Sequence, residues 1–397
     1  MRRALFALPA ALLTSFAGCG RTPLGVGHSS PSSLCTAEAP SCTVVGDDPC
    51  GPPRAVLPPC DPVTRTWGSC PAPSITRVAN PTGVCRPLHD GAVTSLGGSL
   101  VRVPTPDGRC LWVGEDVTLK GDVARHNVAF DVTDDTIRGD CPWTAQSVGE
   151  IVELETPDPS LYVQLVGAHV FAGTTRVLYR LFRLDPNAPY GLLELGGGFA
   201  RWNPAGTRVV VPGVAGLRWG PDLSLGDAAL VDAEHLYAWG CPPPIDFLTE
   251  KCLLARFDAK EDMELFLGNG QWTQGTAQAA AARLFDSGPW LSSVTAVPSG
   301  LLHVYAAGFG TTLEMHGAKT VEGPWSPVGA QPACDLPKDD PSAYCAGPVV
   351  HEEMRNPSRP AQLPVSYGVG TTSANGAALR AQYPDNYWPR LVWLTAP

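Results

Sequence analysis

The residues best suited to chemistry are carboxylates set just ahead of short apolar runs. Asp90 precedes "AVTSLGG", Asp158 precedes "LYVQLVGA", and Asp227 opens "GDAALVDAEHLYAWGC". Two carboxyl groups, one protonated and one ionised, can cleave a glycosidic bond when they stand roughly 5 Å apart (retaining) or roughly 6.5–9.5 Å apart (inverting). In that scheme Asp90 is the base. The acid, whose pKa must be raised by burial or by a like-charged neighbour, is Asp227 or Glu314. His89, Asp116, Asp158, Ser292 and His351 complete the set of ligand-binding candidates. Each has a plainer reading as well. An aspartate at a turn bonds its own backbone, and a lone histidine often packs in the interior. Trp112, Trp219, Trp239, Trp290 and Trp325 could stack on sugar rings or fill space between sheets.

Such residues can act together only if the chain brings distant positions to one place. From about residue 86 onward, short runs rich in Val, Leu, Tyr, Phe and Trp alternate with Gly, Pro and Asp turns, the pattern of half-buried strands. Five runs read as equivalent second strands: "LWVGE", "VLYRLF", "HLYAWG", "LHVYAAG" and "LPVSYG", starting at 111, 177, 235, 302 and 363. Successive starts differ by 66, 58, 67 and 61 residues, and each run follows a turn and an earlier apolar run. A period near sixty with three or four strands per unit predicts the blades of a β-propeller. One blade cannot bury both its faces, so a core forms only when blades pack around an axis. The expected fold is therefore all-β, with five blades over 86–397, and the blade starts ring a central channel. The alternative is a large β-sandwich. "GTAQAAAARLF" (275–285) is the main helical candidate, and "GGGF" (196–199) reads as a turn.

The N-terminal part differs. Met1-Arg2-Arg3 and an apolar run ending at Cys19 describe a secretory signal over 1–18. "FAGC" (16–19) resembles the lipobox of bacterial lipoproteins, which implies lipidation at Cys19; Gly20 in place of Asp implies the outer membrane. Residues 19–85 are rich in Pro, Ser, Gly and Cys and poor in large aliphatics, as in an irregular tether. Its six cysteines, Cys35, Cys42, Cys50, Cys60, Cys70 and Cys85, could pair among themselves. Of thirteen cysteines, removal of Cys19 leaves an even twelve, which fits an oxidising compartment. In the remainder, Cys241 with Cys252 and Cys334 with Cys345 bracket short loops, and Cys110 with Cys141 are paired as a staple of the first blade.

Net charge is -10 and no basic stripe exists, which argues against nucleic-acid binding. No zinc spacing, twelve-residue calcium loop, nucleophile elbow or dinucleotide fingerprint stands in its required context. No cofactor and no metal ligands are predicted, a structural calcium on oxygen ligands being the one cation considered. The chain is expected to be a monomer that meets the membrane only through its lipid.

"HDGAVTSLGGSLVRVPTPDGRCLWVGEDVTL", "GDAALVDAEHLYAWGC", "CLLARFD", "SSVTAVPSGLLHVYAAGFGTTLEMHGAKTVEGPWSPV" and "YWPRLVWL" resemble the bacterial secreted family called domain of unknown function 4185. That family is similar to the five-bladed propellers of family 43 glycoside hydrolases. "AKTVEGPWSPV" (318–328) carries the likeness best, resembling the closing of a blade strand. Where the family's first blade reads Trp-Val-Phe-Gly-Asp-Thr, this chain reads Trp112-Val113-Gly114-Glu115-Asp116-Val117. The resemblance implies a Glu acid at a blade start; the nearest equivalent here is Asp227. The expected function is therefore binding of carbohydrate or another extracellular ligand in the axial groove. A glycosidase-like hydrolase is the alternative, and an envelope scaffold the second.

Overall fold

A computed structural model describes residues 42–44, 50, 54–56, 60–61, 66–67, 84–85, 88–89 and most of 93–396, without 120–122, 135–142, 189–190, 243–249, 276–280, 288–290, 330–332 and 357–358. The chain forms two units, residues 1–42 with 57–72, and residues 43–56 with 73–397. In the first unit β3 (Cys60–Asp61) pairs with β4 (Thr66–Trp67). β1 (Cys42–Val44) pairs with β2 (Arg54–Val56).

The rest of the second unit is five antiparallel sheets. Blade one holds β6 (Val93–Pro104), β7 (Cys110–Leu119), β8 (Val123–Asp134) and β9 (Trp143–Glu150), with β5 (Leu88–His89) added parallel to β9. Blade two holds β11 (Leu161–Phe171), β12 (Thr174–Leu184), β13 (Leu192–Trp202) and β14 (Val209–Val211), with β10 (Val152–Leu154) added outside. Blade three holds β15 (Leu225–Val231), β16 (Leu236–Gly240), β17 (Glu250–Phe257), β18 (Met263–Gly268) and β19 (Gln271–Gln274); β20 (Phe285–Ser287) pairs with β17. Blade four is β21 (Ser293–Val297), β22 (Gly300–Ala306), β23 (Leu313–Ala318) and β24 (Ser326–Pro327), and blade five is β25 (Ala343–Val350), β26 (Gln362–Thr371) and β27 (Arg390–Thr395).

The five recurring runs are the second strands β7, β12, β16, β22 and β26, as their spacing predicts. The first strands meet in a closed ring: β6 against β11, β11 against β15, β15 against β21, β21 against β25 and β25 against β6. Four apolar clusters fill the interfaces between neighbouring blades. This is how sheets too small to stand alone bury both faces. The ring is tied where the chain ahead of blade one meets blade five. Cys85 N–H donates to Leu391 O and Leu391 N–H donates to Cys85 O, each at 2.8 Å.

Three details depart from the sequence reading. "GGGF" is no turn but the middle of β13, where the loop carrying Trp219 lies against it; a Cβ on Gly197 would sit 2.6 Å from Trp219 Nε1. Gly197→Val is expected to lower stability by about 1–3 kcal/mol through overpacking, read from thermal unfolding of purified protein; an unchanged Tm would refute this account. Of 275–285, residues 281–284 are irregular and Phe285 begins β20; 276–280 lie outside the described residues. The described α-helices are instead α1 (Gly376–Gln382) and α2 (Pro384–Tyr387), too short to leave a period in the sequence.

Disulfides join Cys241 to Cys252 and Cys334 to Cys345. The Cys110–Cys141 staple is corrected: Cys110 bonds Cys50. Cys110 starts β7 beside β6, and Arg102 of β6 donates to the Cys50 carbonyl at 2.6 Å, which holds that segment within reach. The tether cysteines therefore do not pair only among themselves, and Cys141 lies outside the described residues. These bonds fit an extracellular or exported protein. No helix among the described residues is long and apolar enough to cross a membrane.

Candidate functional site

The five first strands enclose an axial cavity lined by Val101, Arg102, Val166 to His169, Ala228, Ala229, Leu291 to Thr295, Val349, Val350 and Glu352. It offers about 40 Å³ to the centres of water-sized molecules. One water needs roughly 10–15 Å³ by that measure, so the hollow has room for a few waters and is partly open to solvent. Ala168, Ala228 and Ala229 keep the hole open, and the β-branched valines narrow it.

Asp227 lies beside this cavity, on β15. Its carbonyl accepts from Ser292 N–H at 2.7 Å, and Ser292 itself lines the axis. The Asp227 side chain points elsewhere. One oxygen accepts from Arg180 Nη2 at 2.5 Å and the other from Cys241 N–H at 2.6 Å. The residue is 3 % exposed. Burial pushes its carboxyl above the ordinary carboxylate range, while Arg180 and the Cys241 amide work against that push. Arg180 keeps its charge at any ordinary pH, so it is the fixed cation of this pair. Both oxygens are thus engaged, and Asp227 has no free edge for a substrate.

Glu194 on β13 shares this neighbourhood. Ser224 Oγ donates to its Oε2 at 3.1 Å, and its Oε1 is buried with no hydrogen-bond partner. Burial raises its pKa, opposed by Arg180 and Ser224 and helped by Asp227. A carboxyl of this kind keeps its proton longer than a surface glutamate, as a proton donor must. Tyr162, Phe182 and Glu194 stand directly opposite one another on β11, β12 and β13. Strand spacing puts the ends of that row roughly 10 Å apart. At the far end, Glu115 of blade one accepts from Tyr162 Oη and Gln164 Nε2, each at 2.8 Å. Exposed His126 meets the Tyr162 ring edge-on at 4.7 Å.

No family model matches the sequence, and no curated relative matches it. Solved structures do. A protein of Bacteroides ovatus named as a candidate hydrolase superposes with a TM-score of 0.50 at 15% identity, covering 75% of this chain and 86% of its own. The endo-arabinase of Bacteroides thetaiotaomicron gives 0.42 at 12%, covering 79% and 98%. An N-acetylgalactosamine deacetylase from F. plautii, solved with blood group B trisaccharide, gives 0.41 at 11%, covering 79% and 88%. The chain is a five-bladed propeller. At these identities the likeness is one of fold.

The other sequence candidates fall at different places in the propeller. Asp90 lies outside the described residues. His89 sits on β5 at the outer edge of blade one, opposite Ala145, rather than at the axis. Asp116 faces Gly97 and His126 across β7, and its side chain is not among those described. Asp158 is a turn residue: it accepts from Ser160 N–H at 2.9 Å and Ser160 Oγ at 2.7 Å. Glu314 is on the third strand of blade four, next to Thr312, and is not part of the axial lining. Trp112, Trp219 and Trp239 are buried between blades, and Trp325 packs against Trp239. Trp290 lies outside the described residues.

His351 is fully buried beside the cavity wall. Its Nδ1 is 2.9 Å from Glu353 Oε1 and its Nε2 is 2.7 Å from Ser366 Oγ. The order Ser–His–Glu matches a hydrolytic triad. Yet Ser366 is 1 % exposed, and the Trp112 ring lies over the imidazole at 4.0 Å while donating to Glu353 at 3.0 Å. No acyl group can reach this serine, so the set is a polar pillar between blades one and five. Among the described residues no cluster of His, Cys, Asp or Glu could hold a metal.

Proposed function

We propose that the protein binds carbohydrate at the rim of its propeller, on blade two, without cleaving it. The observation that carries this reading is the shelf formed by Glu115, His126 and Gln164 around the Tyr162–Phe182 pair. Planar amide and carboxylate groups can bond hydroxyls, and the half-buried Phe182 beside them offers apolar surface to a pyranose. The engagement of both Asp227 oxygens supports binding over catalysis by that residue. The N-terminal "FAGC" supports export as a lipid-anchored envelope protein, and the resemblance to domain of unknown function 4185 supports a secreted bacterial role. Palmitate incorporation, lost in Cys19→Ala, tests the anchor.

A hydrolase is the second reading, favoured by the raised pKa of Glu194. Glu194 would donate the proton, with Asp90 as base. One experiment separates the two. Purified protein is titrated with a panel of neutral oligosaccharides and assayed for released reducing ends. The binding reading expects saturable binding that weakens about tenfold or more in Gln164→Ala, the cost of one or two hydrogen bonds to a ligand, with no turnover. Turnover lost in Glu194→Gln or Asp90→Asn would replace binding with hydrolysis. Neither binding nor turnover would leave the scaffold reading, tested by co-purification.

A further inference from the structure

Three arginines converge on one carboxylate at the boundary of blades two and three. Arg176 Nε lies 3.2 Å from Glu261 Oε1, Arg201 Nη2 contacts the same oxygen, and Arg218 Nη2 lies 3.3 Å from Oε2. Among the described residues none of the three meets a second carboxylate. Arg176 also donates to Ala259 O at 3.5 Å, but its Nε has no hydrogen-bond geometry to any acceptor. Three cations about one anion leave a surplus positive charge, in a chain whose net charge is -10.

The arrangement is built rather than incidental. Glu261 holds a left-handed φ of 68°, uncommon for a glutamate. The turn that imposes it is fixed by Asp258, whose side chain accepts from Lys260 N–H and Asp262 N–H at 2.8 and 2.9 Å. The Glu261 side chain is 6 % exposed and Arg176 9 %, whereas Arg201 and Arg218 are 55 % and 56 % exposed. The buried pair thus anchors two outward guanidiniums whose remaining N–H groups face solvent. A row also leads here from the axis. His169, which lines the axial cavity, stands directly opposite Arg176 across β11 and β12. Arg201 occupies the next position on β13, since Val177 pairs with Ala200.

We propose that Arg201 and Arg218, backed by Arg176 and Glu261, form a binding site for a tetrahedral oxyanion, the sulfate or phosphate ester of a glycan. Guanidinium forks match the oxygen spacing of such groups and bind them with paired, charge-assisted hydrogen bonds. The glycan part rests on the carbohydrate reading above; the oxyanion part does not. Glu261 is the group that an incoming anion must share its arginines with, and it holds the cluster together when no ligand is present.

The test uses the full mature chain. Binding of inorganic sulfate is followed by the rise in Tm relative to chloride at equal ionic strength, which controls for screening, and relative to the arginine double variant, which controls for the general stabilising effect of sulfate. Dextran sulfate is compared with dextran by calorimetry. A saturable sulfate-specific rise is expected, weakened about tenfold or more in Arg201→Gln/Arg218→Gln; both side chains are exposed, so that variant should fold. Glu261→Gln should lower Tm without sulfate and show a larger rise with it, because it removes the carboxylate that all three arginines contact. A purely structural cluster would show the first effect without the second. A sulfate rise unchanged in the double variant overturns the site. Sulfate binding without any preference for dextran sulfate overturns the glycan assignment alone, as does preference for vesicles of phosphatidylcholine with phosphatidic acid over the polymer. Failure of the neutral oligosaccharide titration leaves the sulfate result standing, so the two readings fail separately.

Discussion

Asp227→Ala will remove about 3–5 kcal/mol of folding stability, the loss seen when one partner of a buried ion pair is deleted. The change removes the carboxylate that balances the charge of Arg180, a residue 9 % exposed that also donates to the Ser224 carbonyl at 2.5 Å. It also leaves Cys241 N–H without its acceptor, next to a disulfide that closes blade three. A buried unsatisfied donor adds its own penalty of about 1–3 kcal/mol. Asp227→Asn keeps an acceptor for the amide and loses only the charge, so it should fall between wild type and alanine. Asp227→Leu with Arg180→Met removes both charges together and should recover most of the loss, since apolar replacements of buried pairs are often near neutral. Urea unfolding of the four proteins checks this ordering. Were Asp227→Ala no worse than a surface substitution, within about 0.5 kcal/mol, the pair would not be holding blades two and three together. The catalytic role for Asp227 would then return to consideration.

The same residue shows how far the sequence could be read. Its position at the start of a repeating unit was legible, because apolar runs and turns repeat with the period of one blade. So were all five second strands, whose cross-strand burial demands Val, Leu, Tyr and Trp. Its direction was not legible. A strand alternates sides, and whether Asp227 faced the axis or Arg180 depended on the irregular register between Leu225 and Ala228. Arg180 did leave a signal: it is the one charged residue inside "VLYRLF", and a charge in an otherwise buried strand needs a partner. Glu352 and Glu353, adjacent to His351, were likewise visible as two carboxylates following an apolar strand. Asp158 and His89 misled because one feature, a polar residue ahead of an apolar run, has two origins. At Asp158 it marks an Asx turn. At His89 it marks a short strand that joins the outside of blade one. Cys110 misled because loop length predicts pairing only within one compact segment, and here the partner comes from the tether.

Acid will destabilise the protein through His303, and the sign follows from its surroundings. His303 on β22 is fully buried and neither ring nitrogen has a hydrogen-bond partner. Phe285 lies 4.3 Å away, Tyr305 stacks on it at 4.9 Å, and His316 stands directly opposite on β23 with ring centres 6.0 Å apart. Burial drives its pKa well below 6.5, and His316 adds to the shift. A histidine whose folded value is depressed binds its proton more readily when unfolded. Stability is therefore intact above about pH 6.5 and falls by about 1.4 kcal/mol per unit as pH drops below it, until the folded value is reached. Glu194, Glu352 and Asp227 act in the opposite sense. Burial raises their folded values, so their contribution is present at low pH and lost as pH rises through those values. The pH profile of wild type mixes both effects. The difference between wild type and His303→Phe at each pH isolates one of them, because phenylalanine keeps the ring stack and cannot titrate. Urea unfolding from about pH 7.5 to about pH 5 should show His303→Phe gaining on wild type as the solution is acidified, by about 2 kcal/mol at the acid end. Parallel profiles for the two proteins would mean that the imidazole finds a proton acceptor after all, and that the interface between blades three and four is less dry than its packing indicates.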